Sequence, residues 1–185
     1  ESVTEIMERE GWPFLFRIHE PPKQESLMKF LKFAHALGLK PDIGDGESPR
    51  KISAFLKSIE GHALSSILSY LILRSLKQAK YYYENLGHFG LASEAYTHFT
   101  SPIRRYPDLI VHRILKQYVA KQGRAHGLTE EFKDYLAFAA DHCSKRERKA
   151  DMLARTVEKV KKARFMANHL GEKFTARITN VSESG

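Results

Sequence analysis

Residues 88–113 read His88-Phe89-Gly90-Leu91-Ala92-Ser93-Glu94-Ala95-Tyr96-Thr97-His98-Phe99-Thr100-Ser101-Pro102-Ile103-Arg104-Arg105-Tyr106-Pro107-Asp108-Leu109-Ile110-Val111-His112-Arg113. The fold turns on how the second half of this stretch is read. Ser101-Pro102 is a helix-start signal: serine is a preferred N-cap, and proline suits the first helical position because its missing N–H would be unpaired there anyway. On that reading a helix runs from about Pro102 to Val119, and Pro107 either kinks it or marks its true start. Arg104 and Arg105 then lie in the first turn, beside free N–H groups and the positive end of the dipole. Two cations there are unfavourable by roughly 0.3–1 kcal/mol each at exposed sites. A bound anion removes that conflict, which points to a phosphate site. An ordinary capped helix with solvated arginines remains the open alternative.

Working outward, apolar periodicity predicts mostly helices. Val3, Ile6 and Met7 have helical spacing within 2–10, and Gly11 ends that segment. Phe14, Phe16 and Ile18 alternate as a short strand, stopped by Pro21-Pro22. Residues 24–37 carry Leu27, Phe30, Leu31, Ala34 and Leu37 on one face, closed by Gly38. After a polar loop over 40–47, Ser48-Pro49 repeats the cap-then-proline start and a helix runs to Gly61. Residues 64–78 form the most apolar segment, read as a buried helix. Tyr81-Tyr82-Tyr83, 88–91 and 95–99 read as strands or extended segments. Residues 121–127 are a basic loop and 130–142 a helix. Ser144-Lys145-Arg146-Glu147 is a capping box, which predicts a separate helix from there to about Leu170, stopped by Gly171. Residues 174–181 alternate like an opening strand.

The 185 residues, 42% of them hydrophobic, suffice for a packed core and suggest one domain, alone or with part of another. A formal net charge of +8 suits a polyanionic partner, although solvated lysines alone give the same number. The single cysteine, Cys143, excludes an internal disulfide, argues against a cysteine-based zinc site and points to a reducing cytoplasm. No apolar run approaches the length of a membrane span: the strongest, 67–73, is broken by Ser69 and ends at Arg74. The opening residues do not read as a signal peptide, so none is expected. Glu1 is no initiator and 2–10 read as the middle of a helix, so a fragment of something longer is expected.

The quoted stretch resembles the signature of the ribonuclease II / ribonuclease R family of exoribonucleases, in its catalytic RNB domain. The residues that carry the resemblance are His88-Phe89-Gly90-Leu91, Tyr96, and Thr100-Ser101-Pro102-Ile103-Arg104 with Tyr106, Asp108, His112 and Arg113. Phe16-Arg17-Ile18-His19-Glu20-Pro21-Pro22 is similar to the family's turn before a helix, and 171–185 to the opening strands of its C-terminal OB-fold RNA-binding domain. The resemblance implies an α+β fold, with helices packed on a mixed or antiparallel sheet. Residues 1–170 would be the C-terminal part of the RNB domain and 171–185 the truncated start of an OB-fold barrel.

The resemblance further implies a hydrolytic 3′-to-5′ exoribonuclease that degrades single-stranded RNA processively to nucleoside monophosphates, with no membrane partner and no small-molecule cofactor. Its magnesium would be held by an aspartate cluster outside this segment, for no two aspartates are adjacent here. Arg104 is implied as the catalytic phosphate contact. Thr100, Ser101, Arg105, Tyr106, His112 and Arg113 are implied as substrate-channel or supporting residues, and Glu20 matches the family's His-Glu-Pro-like segment without an assigned role. A noncatalytic RNA-binding or scaffold relative is the alternative function, and a helical protein-interaction module a third.

Other constellations read more plainly. His88, His98 and His112 match no compact metal motif, so no metal ligand is assigned. Asp42, Asp45 and Glu47 miss the EF-hand spacing and read as a solvated loop. Asp108, four residues after Arg104, is expected to hold that guanidinium. The tyrosines at 81–83 either stack on bases or divide between core and surface. The basic residues of 145–162 are interleaved with Glu147, Asp151 and Glu158, which suits a solvated helix face as well as an RNA track.

Overall fold

A computed structural model describes residues 1–44, 46, 48–122 and 130–176. Asp45, Glu47 and most of the basic loop over 121–127 lie outside the described residues. The chain divides into two units, 1–144 and 145–185.

The first unit is an α+β arrangement. Helix α1 (Ser2–Arg9) leads to strand β1 (Phe16–Ile18). Helices α2 (Gln24–Ala36), α3 (Pro49–Ser58) and α4 (Ser65–Ser75) follow, then strand β2 (Lys80–Tyr82). A 3-10 turn (Phe89–Leu91) precedes α5 (Tyr106–Ala120) and the long α6 (Glu130–Met166). The sheet is small and antiparallel, pairing Phe16 with Tyr82, Arg17 with Tyr81 and Ile18 with Lys80. Residues 95–99, expected as a strand or an extended segment, form no strand but touch β1 and the residue before it: Arg17 N–H donates to Tyr96 O at 2.8 Å, and Thr97 Oγ1 donates to Leu15 O at 2.7 Å.

Two apolar clusters hold this unit. In the first, Met7, Trp12, Phe14 and Phe16 pack with Ile110, Ile114 and Leu136. In the second, Leu27 and Phe30 of α2 and Ile52 and Phe55 of α3 enclose Leu68 and Ile72 of α4, with Phe89 inserted beside them. Each fully buried aliphatic or aromatic side chain contributes about 1.5–3 kcal/mol. Ser48 caps α3 as its sequence predicts, accepting Lys51 N–H at 3.4 Å, with Pro49 in the first turn.

Two expectations are corrected. First, no helix starts at Ser101-Pro102. Residues 102–104 are a turn, Arg105 occupies the N-cap and α5 begins at Tyr106. Proline decides this: a helix opening at Pro102 would place Pro107 where an N–H must be donated, whereas starting at Tyr106 keeps it in the tolerant first turn. Second, α6 runs unbroken through Ser144, so the capping box caps nothing. Ser144 is buried, and its hydroxyl accepts Tyr81 N–H at 2.9 Å and donates to Ala140 O at 2.8 Å. The hydroxyl thus serves a backbone amide of β2, and helix propagation on both sides removes any free N–H for it to cap.

In the second unit α6 continues to Met166, followed by a 3-10 turn (Ala167–His169). Most of its described side chains are exposed, with Lys162 and Glu158 paired at 2.7 Å. Residues 172–176 adopt no regular structure, and the rest of the expected OB-fold strand lies outside the described residues. No helix among the described residues is long and apolar enough to cross a membrane.

Candidate functional site

The site grows from the ends of β1 and β2 and from the turn before α5. His19, just past β1, uses both ring nitrogens: Nδ1 accepts Gly90 N–H at 2.8 Å, and Nε2 donates to Lys77 O at 2.6 Å. This explains the glycine of His88-Phe89-Gly90-Leu91, because a Cβ on Gly90 would sit 2.7 Å from His19 Nδ1. With the backbone bonds Phe89 N–H to His19 O and His88 N–H to Ser93 O, both 2.8 Å, the motif's first half is locked against β1. Phe89 is thereby driven into the second cluster.

Beside it stands an aromatic and basic group. Arg17 lies over the Tyr81 ring, 4.6 Å from its centroid, and Tyr81 Oη shares a hydrogen bond with His98 Nδ1 at 2.8 Å. Tyr96 packs edge-on between His88 and His98. Burial pushes the His98 pKa down to about 4, helped by the neighbouring Arg105 and Arg17 charges. His88 is also lowered, by burial first and then by His19. Sequence reasoning missed this group. Its trace was the alternation of Phe16, Arg17 and Ile18, which sets Arg17 on the face opposite the apolar pair.

The turn itself is tightly connected. Ser101 O accepts from Arg104 N–H at 3.2 Å and Arg105 N–H at 2.9 Å. Asp108, at the third position of α5 and fully buried, accepts Ser101 N–H and Arg105 Nη2 on the same oxygen, each at 2.8 Å. The expected partner of Asp108 was Arg104; the structure gives it Arg105 instead, because the guanidinium at the cap position reaches back over the first turn. Arg105 Nε and Asp108 Oδ2 are buried without a partner among the described residues, so the ion pair is a half-made fork.

The predicted site residues fall into two groups. Arg104, Thr100, Tyr106 and Arg113 are exposed. Arg104 has no side-chain partner among the described residues, and Ile103 beside it is fully solvated. Ser101, Arg105 and His112 face inward: His112 Nε2 donates to Phe99 O at 2.8 Å while its ring stacks on Phe99 at 4.3 Å. Arg113 lines a separate cavity of about 300 Å3 with Gln117, Phe132 and Tyr135. Tyr135 shares a 3.0 Å hydrogen bond with Tyr106, and burial together with that bond pushes its pKa up to about 12. Glu20 is structural: Lys77 and Lys80 each approach it at 3.0 Å, and those bonds lower its pKa. No three His, Cys, Asp or Glu side chains among the described residues converge to hold a metal ion, so these residues do not fit a magnesium site.

A rigid turn displaying one unpaired guanidinium can bind a phosphate oxygen through two parallel N–H donors. The family model described as the RNB domain matches residues 1–121. Over its whole length the chain is 41% identical to Ribonuclease R of Thermotoga maritima, of which it covers 26%. Among solved structures, Mycoplasma genitalium RNase R in complex with ribose methylated single-stranded RNA superposes with a TM-score of 0.88 at 27% identity, over 100% of this chain and 29% of that one. Yeast Ssd1, described as a pseudonuclease, gives a TM-score of 0.64 at 25% identity, over 77% of this chain and 17% of that one. The chain thus spans about a quarter of the length of the curated relative it matches.

Proposed function

This chain belongs to the RNB-domain family, and from that premise we propose that it supplies phosphate-positioning groups to a hydrolytic 3′-to-5′ exoribonuclease acting processively on single-stranded RNA. The observation that carries the reading is Arg104, an exposed and unpaired guanidinium on a turn tied down at both ends. Its planar fork meets the oxygens of the scissile phosphate, where negative charge grows during hydrolysis, so its hydrogen bonds strengthen toward the transition state. Thr100, Tyr106 and Arg113 form the accessible substrate-facing side. Ser101, Arg105 and His112 hold the turn from beneath.

The proposal assigns residues 1–170 to the RNB domain and 171–185 to the start of an OB-fold. It assigns the cytoplasm as location, in keeping with the lone cysteine. The magnesium of the family reading belongs to aspartates outside residues 1–185, and no step here runs through it.

The test is incubation of the full-length protein with 5′-labelled single-stranded RNA and magnesium. Stepwise shortening from the 3′ end is expected. Salt-sensitive binding with no shortening would favour the second reading, a noncatalytic RNA-binding relative, for which the likeness to the pseudonuclease Ssd1 is the motivating observation.

A further inference from the structure

Asp108 is the only fully buried carboxylate among the described residues. Burying a carboxylate is costly unless donors surround it, and its donors here come from both sides of Arg104. Ser101 N–H lies three residues before that arginine, and the Arg105 guanidinium immediately after it. Both end on Asp108 Oδ1, each at 2.8 Å. Ser101 O closes the same loop by accepting Arg104 N–H and Arg105 N–H. The segment 101–105 is therefore fastened to α5 through one oxygen atom, and Arg104 is the member left facing outward.

We propose that Asp108 is the positioning residue for Arg104. It fixes the backbone from which that guanidinium projects, and it engages Arg105, so that the substrate phosphate meets Arg104 as the available donor. This inference rests on the reading of Arg104 given above. A side chain that acts on a transition state must be held closely, since a misplacement of about 1 Å can cost on the order of 10²-fold in rate. Asp108 also lies in the first turn of α5 and ties it to Ser101, so a purely structural role is the competing explanation. That role predicts lost stability with a normal rate per folded molecule.

The experiment uses the full-length protein and four variants: Arg104→Ala, Asp108→Ala, Asp108→Asn and the double variant Arg104→Ala/Asp108→Ala. Single-turnover cleavage at saturating RNA, RNA affinity and melting temperature are measured for each, with rates taken well below melting. Asp108→Ala is expected to slow saturated cleavage by about 10²-fold while affinity holds. Asp108→Asn keeps an oxygen for Ser101 N–H and is expected to recover part of the rate. If Asp108→Ala does not fold, Asp108→Asn alone carries the comparison and should still be slower than the unmodified protein. The double variant should be no slower than Arg104→Ala, because a positioner has nothing to position once its target is gone. Normal saturated rates in both Asp108 variants, or losses that multiply in the double variant, overturn the inference and leave Arg104 standing. A normal rate in Arg104→Ala overturns the reading of Arg104 and this inference with it.

Discussion

Arg104 and His98 mark opposite ends of what a single side chain reveals about itself. Around Arg104, a serine, a proline and two arginines in five residues signalled a helix start with exposed basic groups; the exposure is observed, but on a turn that precedes α5. In the full-length protein, Arg104→Ala should lower saturated single-turnover cleavage by about 10²–10³, the usual cost of one lost donor to a developing oxyanion. Arg104→Lys should recover little, because a point charge replaces a planar fork. A loss confined to affinity would make it a channel residue. His98 was illegible in that role: its partners Tyr81 and Arg17 lie far away in sequence and meet it only when β1 and β2 pair. Its folded pKa is lowered from 6.5 to about 4, so the unfolded chain takes up a proton that the folded chain refuses. His98 therefore subtracts nothing from stability above pH 6.5, and stability falls as pH drops from there toward 4. His98→Asn keeps an acceptor for Tyr81, and its urea midpoint should decline less than that of the unmodified chain across that window. Parallel declines would remove His98 as the cause.

Among the elements, the helices with clear apolar stripes could be read directly. Residues 24–36 and 49–58 form as expected because their apolar spacing and their stop or start residues agree. The errors came where a local signal had a tertiary competitor. At Ser101 the cap signal lost to the requirements of Pro107. At Ser144 the capping box lost to an amide on β2, 63 residues away in sequence. Ser144→Ala should remove the acceptor of the buried Tyr81 N–H bond and cost about 1–3 kcal/mol. Urea denaturation of the two chains measures the difference. An unchanged midpoint would mean that the amide finds another partner, and that the serine is dispensable to the junction of α6 with the sheet.

For the whole molecule, the charge of +8 and the exposed basic side chains favour a polyanion over a neutral partner. The isolated chain should bind single-stranded RNA weakly, with log affinity falling against log salt at about −0.7 per contacted phosphate. It should cleave nothing, since its described residues gather no set of groups able to hold a metal. A 3′ ladder from a nuclease-free preparation would show that these residues suffice. An affinity flat in salt would count against a phosphate track. Family and α+β class were legible at this scale because a long motif of low degeneracy lies within one segment. The separate unit beginning at Lys145 was not: the capping box at Ser144 marked a new helix there, whereas one helix, α6, runs through that position.

One imidazole offers a way to watch the motif in solution. His19 donates from Nε2 and accepts at Nδ1, so its tautomer is fixed by bonds to Lys77 O and Gly90 N–H. Its two ring nitrogens should resonate far apart in a nitrogen-15 spectrum, and the Nε2 proton should exchange slowly enough to be seen. Opening of the His88–Leu91 segment would merge the nitrogen signals toward a tautomer average and bleach the proton resonance. The ring is thus a built-in label, reporting on docking of the motif without dye, tag or substitution.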